Sequence, residues 1–104
     1  MLTKQIAIKK VKQFLNECQR IPITIDKAVL FGSAVKGMAT EYSDIDLALF
    51  SDKFSDNILK NIDLIGRVNI RFPDIDVHTF PTVYYNKKGI LIDQIRKTGI
   101  EIKL

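Results

Sequence analysis

The sequence predicts an α/β (α+β) fold, a small mixed β-sheet packed with helices, in one domain over residues 1–104. Three observations lead there. Apolar residues recur every three or four positions in separate segments, the mark of amphipathic helices. Short apolar runs of strand length lie between those segments. A helical stretch joins the second run to the third, and such a crossover favours a parallel pair.

Residues 3–20 read as the first helix. Ile6, Ala7, Val11, Phe14, Leu15 and Cys18 form one apolar stripe along it. Thr3 is placed to cap its start, and Pro22 stops it. Residues 27–31 are a short strand, 32–37 a tight turn with room for one helical turn, and 38–43 a loop. Residues 45–50 are apolar on both faces, which makes this strand central. The 51–55 region turns into a helix over about 56–68, lined by Ile58, Leu59, Ile62, Leu64, Ile65 and Val68. Residues 75–80 are a third strand. Residues 83–97 read as a second long helix, weakest at Gly89 and ended by Thr98-Gly99. The tail, 100–104, is extended and suited to a sheet edge.

Composition narrows the function classes. The chain is 46% hydrophobic and 27% charged, ordinary for a globular domain. One cysteine, Cys18, excludes an internal disulfide and fits a reducing, cytoplasmic setting. Cys18 lies on the helical stripe and reads as core. No stretch approaches a membrane span, and no signal peptide is evident. The net charge is +4, with Lys4, Lys9, Lys10, Lys12 and Arg20 gathered on the first helix. A solvated helix face explains that cluster better than direct nucleic-acid binding does.

The chemistry concentrates in one stretch. An apolar run ends in Gly32-Ser33, ten residues follow, and a second apolar run begins with Asp44-Ile45-Asp46. In a strand, residues i and i+2 share a face, roughly 6.6–6.8 Å apart at Cα. Carboxylates that close repel unless a cation sits between them. Hard oxygen ligands with open positions suit Mg²⁺, which usually brings a polyphosphate. Gly32 lets a phosphate approach the backbone, and the Ser33 hydroxyl can donate to it. For both segments to touch one ligand, the first two strands must run antiparallel.

The spacing resembles the DNA polymerase beta-like nucleotidyltransferase superfamily, and within it the minimal nucleotidyltransferases, or MNT proteins. Gly32, Ser33, Gly37, Ala39, Thr40, Ser43, Asp44, Ile45, Asp46 and Leu47 fit the family's segment. Val35-Lys36 replaces its Ala-Arg pair, which keeps the charge but loses the bidentate fork. The resemblance implies a nucleotidyltransferase fold and a transfer of AMP from ATP with Mg²⁺, two ions being expected. Two metals about 3.5–4 Å apart stabilise the attacking and leaving oxygens of such a displacement. Asp44 and Asp46 supply the first carboxylates. The third must come from Pro73-Asp74-Ile75-Asp76-Val77-His78. Asp76 is preferred because it lies inside the strand, and Asp74 is the fallback.

Catalytic and metal-binding roles are therefore expected of Asp44, Asp46 and Asp76. Nucleotide contacts are expected of Gly32, Ser33, Lys36 and Tyr42, the last by stacking on a base. His78 shares a strand face with Asp76 and reads more simply as satisfying a local hydrogen bond. Tyr84 and Tyr85 read as packing or partner-contact residues. The chain carries little beyond a catalytic core, so a protein acceptor is favoured over a small molecule. The MNT resemblance implies an antitoxin that modifies a tyrosine of a HEPN-type toxin and joins it in a complex. The alternative is a non-catalytic module that neutralises its partner by contact alone. A stand-alone transferase acting on a small hydroxylated molecule or an RNA end is the third, weaker option.

Overall fold

The computed structural model describes residues 2–37, 44–87 and 89–104. Helix α1 (Lys4–Cys18) starts as its sequence requires: the Thr3 side chain accepts a hydrogen bond from the Ile6 N–H. It buries Ala7, Val11, Phe14, Leu15 and Cys18. Ile6, expected in that stripe, is 42% exposed instead. The helix also stops short of residue 20, at Cys18, with Gln19 closing it and Pro22 lying beyond. Lys4, Lys9, Lys12 and Arg20 are exposed, as expected of a solvated face.

Strands β1 (Lys27–Phe31), β2 (Ile45–Phe50) and β3 (Ile75–Phe80) keep the predicted boundaries. Strand β4 (Ile100–Glu101) completes a four-stranded sheet of order β3-β2-β1-β4. β1 and β2 are antiparallel, β2 and β3 parallel, and the tail pairs with β1 through Val29 and Leu30. The parallel pair needs a crossover, and α3 (Ile58–Asn69) supplies it. Short helix α2 (Ser33–Lys36) follows β1 directly.

Alternation along the strands sorts side chains onto two faces. Leu30, Leu47, Leu49 and Ile75 pack with α1 and α3 in the larger core. Val29, Phe31, Ala48 and Phe50 face the other way, against Ile92 and Ile95 of α4 (Ile90–Thr98).

Two predicted helices differ from expectation. The segment read as one helix over 83–97 is a 3₁₀-helix (Thr82–Asn86) followed by α4, with Gly89 at the break. The Asp56 carboxylate accepts a hydrogen bond from the Tyr84 hydroxyl and raises the phenol above its usual pKa. Tyr85 packs edge-on against Phe50, 5.3 Å between centroids. Such side contacts favour a short 3₁₀ turn over a continuous helix. In α3, Ile58, Leu59 and Ile62 are 58%, 75% and 52% exposed, while Asn61 is fully buried. Asn61 donates to Ser55 O and to Thr79 Oγ1, and accepts from the Ser55 N–H. A polar side chain thus ties the loop before α3 to edge strand β3.

Two measurements test this packing. Asn61→Ala removes a fully buried side chain and its three hydrogen bonds to Ser55 and Thr79, and is expected to cost roughly 1–3 kcal/mol, read as a lower urea midpoint with an unchanged slope. Cys18 is 2% exposed, and burial first, then the charge of Glu17, push its thiol up to about 12. The native thiol is therefore expected to resist iodoacetamide at pH 8 and to react once urea unfolds the chain. The linkage sign follows from the raised value: the buried neutral thiol contributes full stability below the unfolded pKa of about 8.5. That contribution falls as pH rises toward 12.

Candidate active site

The C-terminal end of β1 meets the N-terminal ends of β2 and β3, and the acidic residues gather there. Asp46 is the register partner of Phe31 on β1 and of Asp76 on β3. Adjacent strands lie about 4.8 Å apart, so the two aspartates stand side by side on the face that α4 covers further along. His78, two residues on from Asp76, shares that face. Its Nε2 lies 3.4 Å from Asp46 Oδ1 and 3.3 Å from Asp76 Oδ2. One ligand atom from each of Asp46, Asp76 and His78 falls within 4.8 Å of the others. The side chains of Asp46 and His78 are about one-third exposed and that of Asp76 half exposed, so the group opens to solvent.

Gly32 shapes the neighbouring wall. Its φ is +82°, a region that glycine tolerates and other residues rarely adopt. A Cβ at this position would overlap Oδ2 of Asp46. The backbone therefore passes directly against the carboxylate, and Ser33 follows at the first position of α2. Gly37, also at positive φ (+72°), closes α2 in a left-handed cap.

Asp74, one residue before β3, and Asp76, within it, have different partners. The Asp74 carboxylate is engaged by Lys10 of α1, and its carbonyl accepts from the Ile45 N–H at 2.8 Å. Asp74 thus ties helix and strands together, while Asp76 faces Asp46. Asp44 is exposed one residue before β2 and is not among the three that converge. Lys36 is exposed at the end of α2. Tyr42 lies outside the described residues. His78 was read from sequence as a local hydrogen-bonding residue, yet its nitrogen sits between two carboxylates. Its i+2 spacing from Asp76 was the available signal; the proximity to Asp46 arises only through strand pairing. Phe31 braces the ring, 5.1 Å between centroids at 64°.

A family model described as a nucleotidyltransferase domain matches residues 8–101. The chain belongs to the nucleotidyltransferase domain family. Solved structures share the fold of this nucleotidyltransferase. A Sulfolobus solfataricus protein assigned as a nucleotidyltransferase is 19% identical at a TM-score of 0.70, over 94% of this chain and 80% of its own. A chain in a toxin–antitoxin structure with AMP-PNP is 25% identical at a TM-score of 0.60, over 92% and 72%. A chain in the complex of tri-AMPylated Shewanella oneidensis HEPN toxin with MNT antitoxin is 22% identical at a TM-score of 0.56, over 97% and 72%. No curated protein matches the chain in sequence. Among the described residues, no helix is long and apolar enough to cross a membrane.

Substituting Gly32 with alanine tests the wall. The new methyl meets both a strained φ and the Asp46 carboxylate, so a loss of roughly 1–3 kcal/mol in unfolding free energy is expected. Calorimetric titration with divalent metal should also show weaker binding, because Asp46 must move.

Proposed function

We propose that this nucleotidyltransferase transfers AMP from ATP to a tyrosine hydroxyl of a partner HEPN toxin, acts as its antitoxin, and requires divalent metal. The observation that carries the reading is the meeting of Asp46 and Asp76 beside Gly32-Ser33, in a chain whose family is established. The toxin–antitoxin setting is supported by the AMP-PNP and MNT–HEPN complexes that share the fold.

The donor set fits a divalent cation. Two carboxylates and an imidazole present three ligand atoms within 4.8 Å, open to solvent on one side. Asp46 and Asp76 would hold the ion, with Asp44 close enough in sequence to join from the strand's start. A bound divalent ion supplies Lewis-acid stabilisation of charge on the transferring phosphoryl group and leaving oxygen.

This chain's residues do the rest. The Ser33 hydroxyl donates to a phosphate oxygen, and Gly32 leaves the backbone low enough for that approach. Lys36, exposed on the same short helix, offsets pyrophosphate charge. Asp76 is the more exposed of the paired carboxylates and orients the acceptor hydroxyl or takes its proton. The acceptor oxygen then bonds to the α-phosphorus as the bond to the β-phosphate breaks, and pyrophosphate departs.

The test is incubation with ATP radiolabelled at the α-phosphate, divalent metal and the cognate HEPN toxin. Label is expected on the toxin, reduced roughly 10²–10³-fold by Asp46→Asn or Asp76→Asn, in line with loss of a charge-stabilising group. A tight complex with no label transfer under any metal would overturn the enzymatic reading and leave the contact-only antitoxin.

A further inference from the structure

We propose that His78 is itself a metal ligand and tilts the site toward Mn²⁺ over Mg²⁺. The inference rests on the reading of this site as a metal-dependent nucleotidyltransferase centre and goes beyond it by naming the ion that the donor set prefers.

The geometry brings three ligand atoms of different residues within 4.8 Å of one another. A single nitrogen, Nε2, approaches both carboxylates, at 3.4 Å to Asp46 and 3.3 Å to Asp76. An N–H···O hydrogen bond is usually about 2.9–3.0 Å, and one N–H cannot aim well at two oxygens. Both separations are longer than a good hydrogen bond, and the three ligand atoms lie within 4.8 Å of one another, open to an ion from the solvent side. The ring is also held in place. Phe31 meets it edge-on at 5.1 Å, and Ala48, its register partner on β2, leaves room beside it.

The donor chemistry then decides the metal. Mg²⁺ is a hard ion that keeps oxygen ligands and water. Imidazole suits transition metals, and carboxylates suit Mg²⁺, Ca²⁺ and Mn²⁺. Mn²⁺ is common to the carboxylate group and the transition-metal series, so two aspartates and a histidine favour it.

Metal binding without nucleotide separates this inference from the catalytic reading. Mn²⁺ binding is followed by electron paramagnetic resonance, Mg²⁺ competes it off, and pulsed resonance detects nitrogen coupled to bound Mn²⁺. The wild-type protein is expected to show imidazole nitrogen on Mn²⁺. His78→Asp, which makes the set all-oxygen, should lose that signal and lower the Mn²⁺/Mg²⁺ preference about tenfold, the lower end of what groups supporting a metal site contribute. Absence of nitrogen coupling in the wild type overturns the proposal, and so does an unchanged preference in a folded His78→Asp. So would tighter binding of both ions in equal ratio, which would make the imidazole only a counter-ion. If His78→Asp does not fold, the wild-type nitrogen signal decides alone. Metal binding that survives Asp46→Asn and Asp76→Asn would instead sink the underlying metal-site reading.

Discussion

Strand register places Asp46 beside Asp76, and the site depends on that pairing. Two carboxylates about 5 Å apart repel by roughly 3 kcal/mol at an effective dielectric of about 20, before solvent screening reduces it. The fold accepts this cost because the hydrophobic residues between and behind the aspartates fix both strands. Ile45, Leu47 and Leu49 of β2 and Ile75 of β3 are buried against α1 and α3. Slipping either strand by one residue would send those side chains to the wrong face. Core packing therefore holds the acids together against their mutual repulsion.

The two faces of the sheet divide the work. One is closed by α1 and α3. The other is closed by α4 and the 3₁₀-helix over Val29, Phe31, Ala48 and Phe50, and it opens at Asp46, Asp76 and His78. Gly32 completes the opening because a side chain there would occupy the space of the Asp46 carboxylate. Anchors from outside the site preserve its purity of charge. Lys10 engages Asp74 rather than Asp76, so this lysine ties helix α1 to the residue before β3 and not to the facing acids.

Much of this was legible in the chain because the signals were local. Alternation and the double-sided apolar run placed β2 at the centre of the sheet. Gly32-Ser33, ten residues and Asp44-Ile45-Asp46 marked the corner where the end of β1 meets the start of β2. The helical crossover implied that β3 would lie parallel to β2 and deliver a third acid. Less legible was how much of an apolar pattern is buried. Ile6, Ile58, Leu59 and Ile62 fit helical stripes yet remain exposed, since periodicity reports a face and not what covers it. The division of 83–97 into a 3₁₀-helix and α4 escaped for a similar reason: the tyrosine contacts to Asp56 and Phe50 are long-range.

The sequence by itself determined the family segment and the order of elements, because each is written in neighbouring residues. Tertiary structure alone joined Asp74 to Lys10 and set Asp76 beside Asp46, buried Asn61, and placed the His78 nitrogen between two carboxylates. Those outcomes depend on which strand and helix surfaces meet across 18 or more positions of chain, as Asn61 meets Thr79, His78 meets Asp46 and Lys10 meets Asp74, and no local pattern encodes such distances.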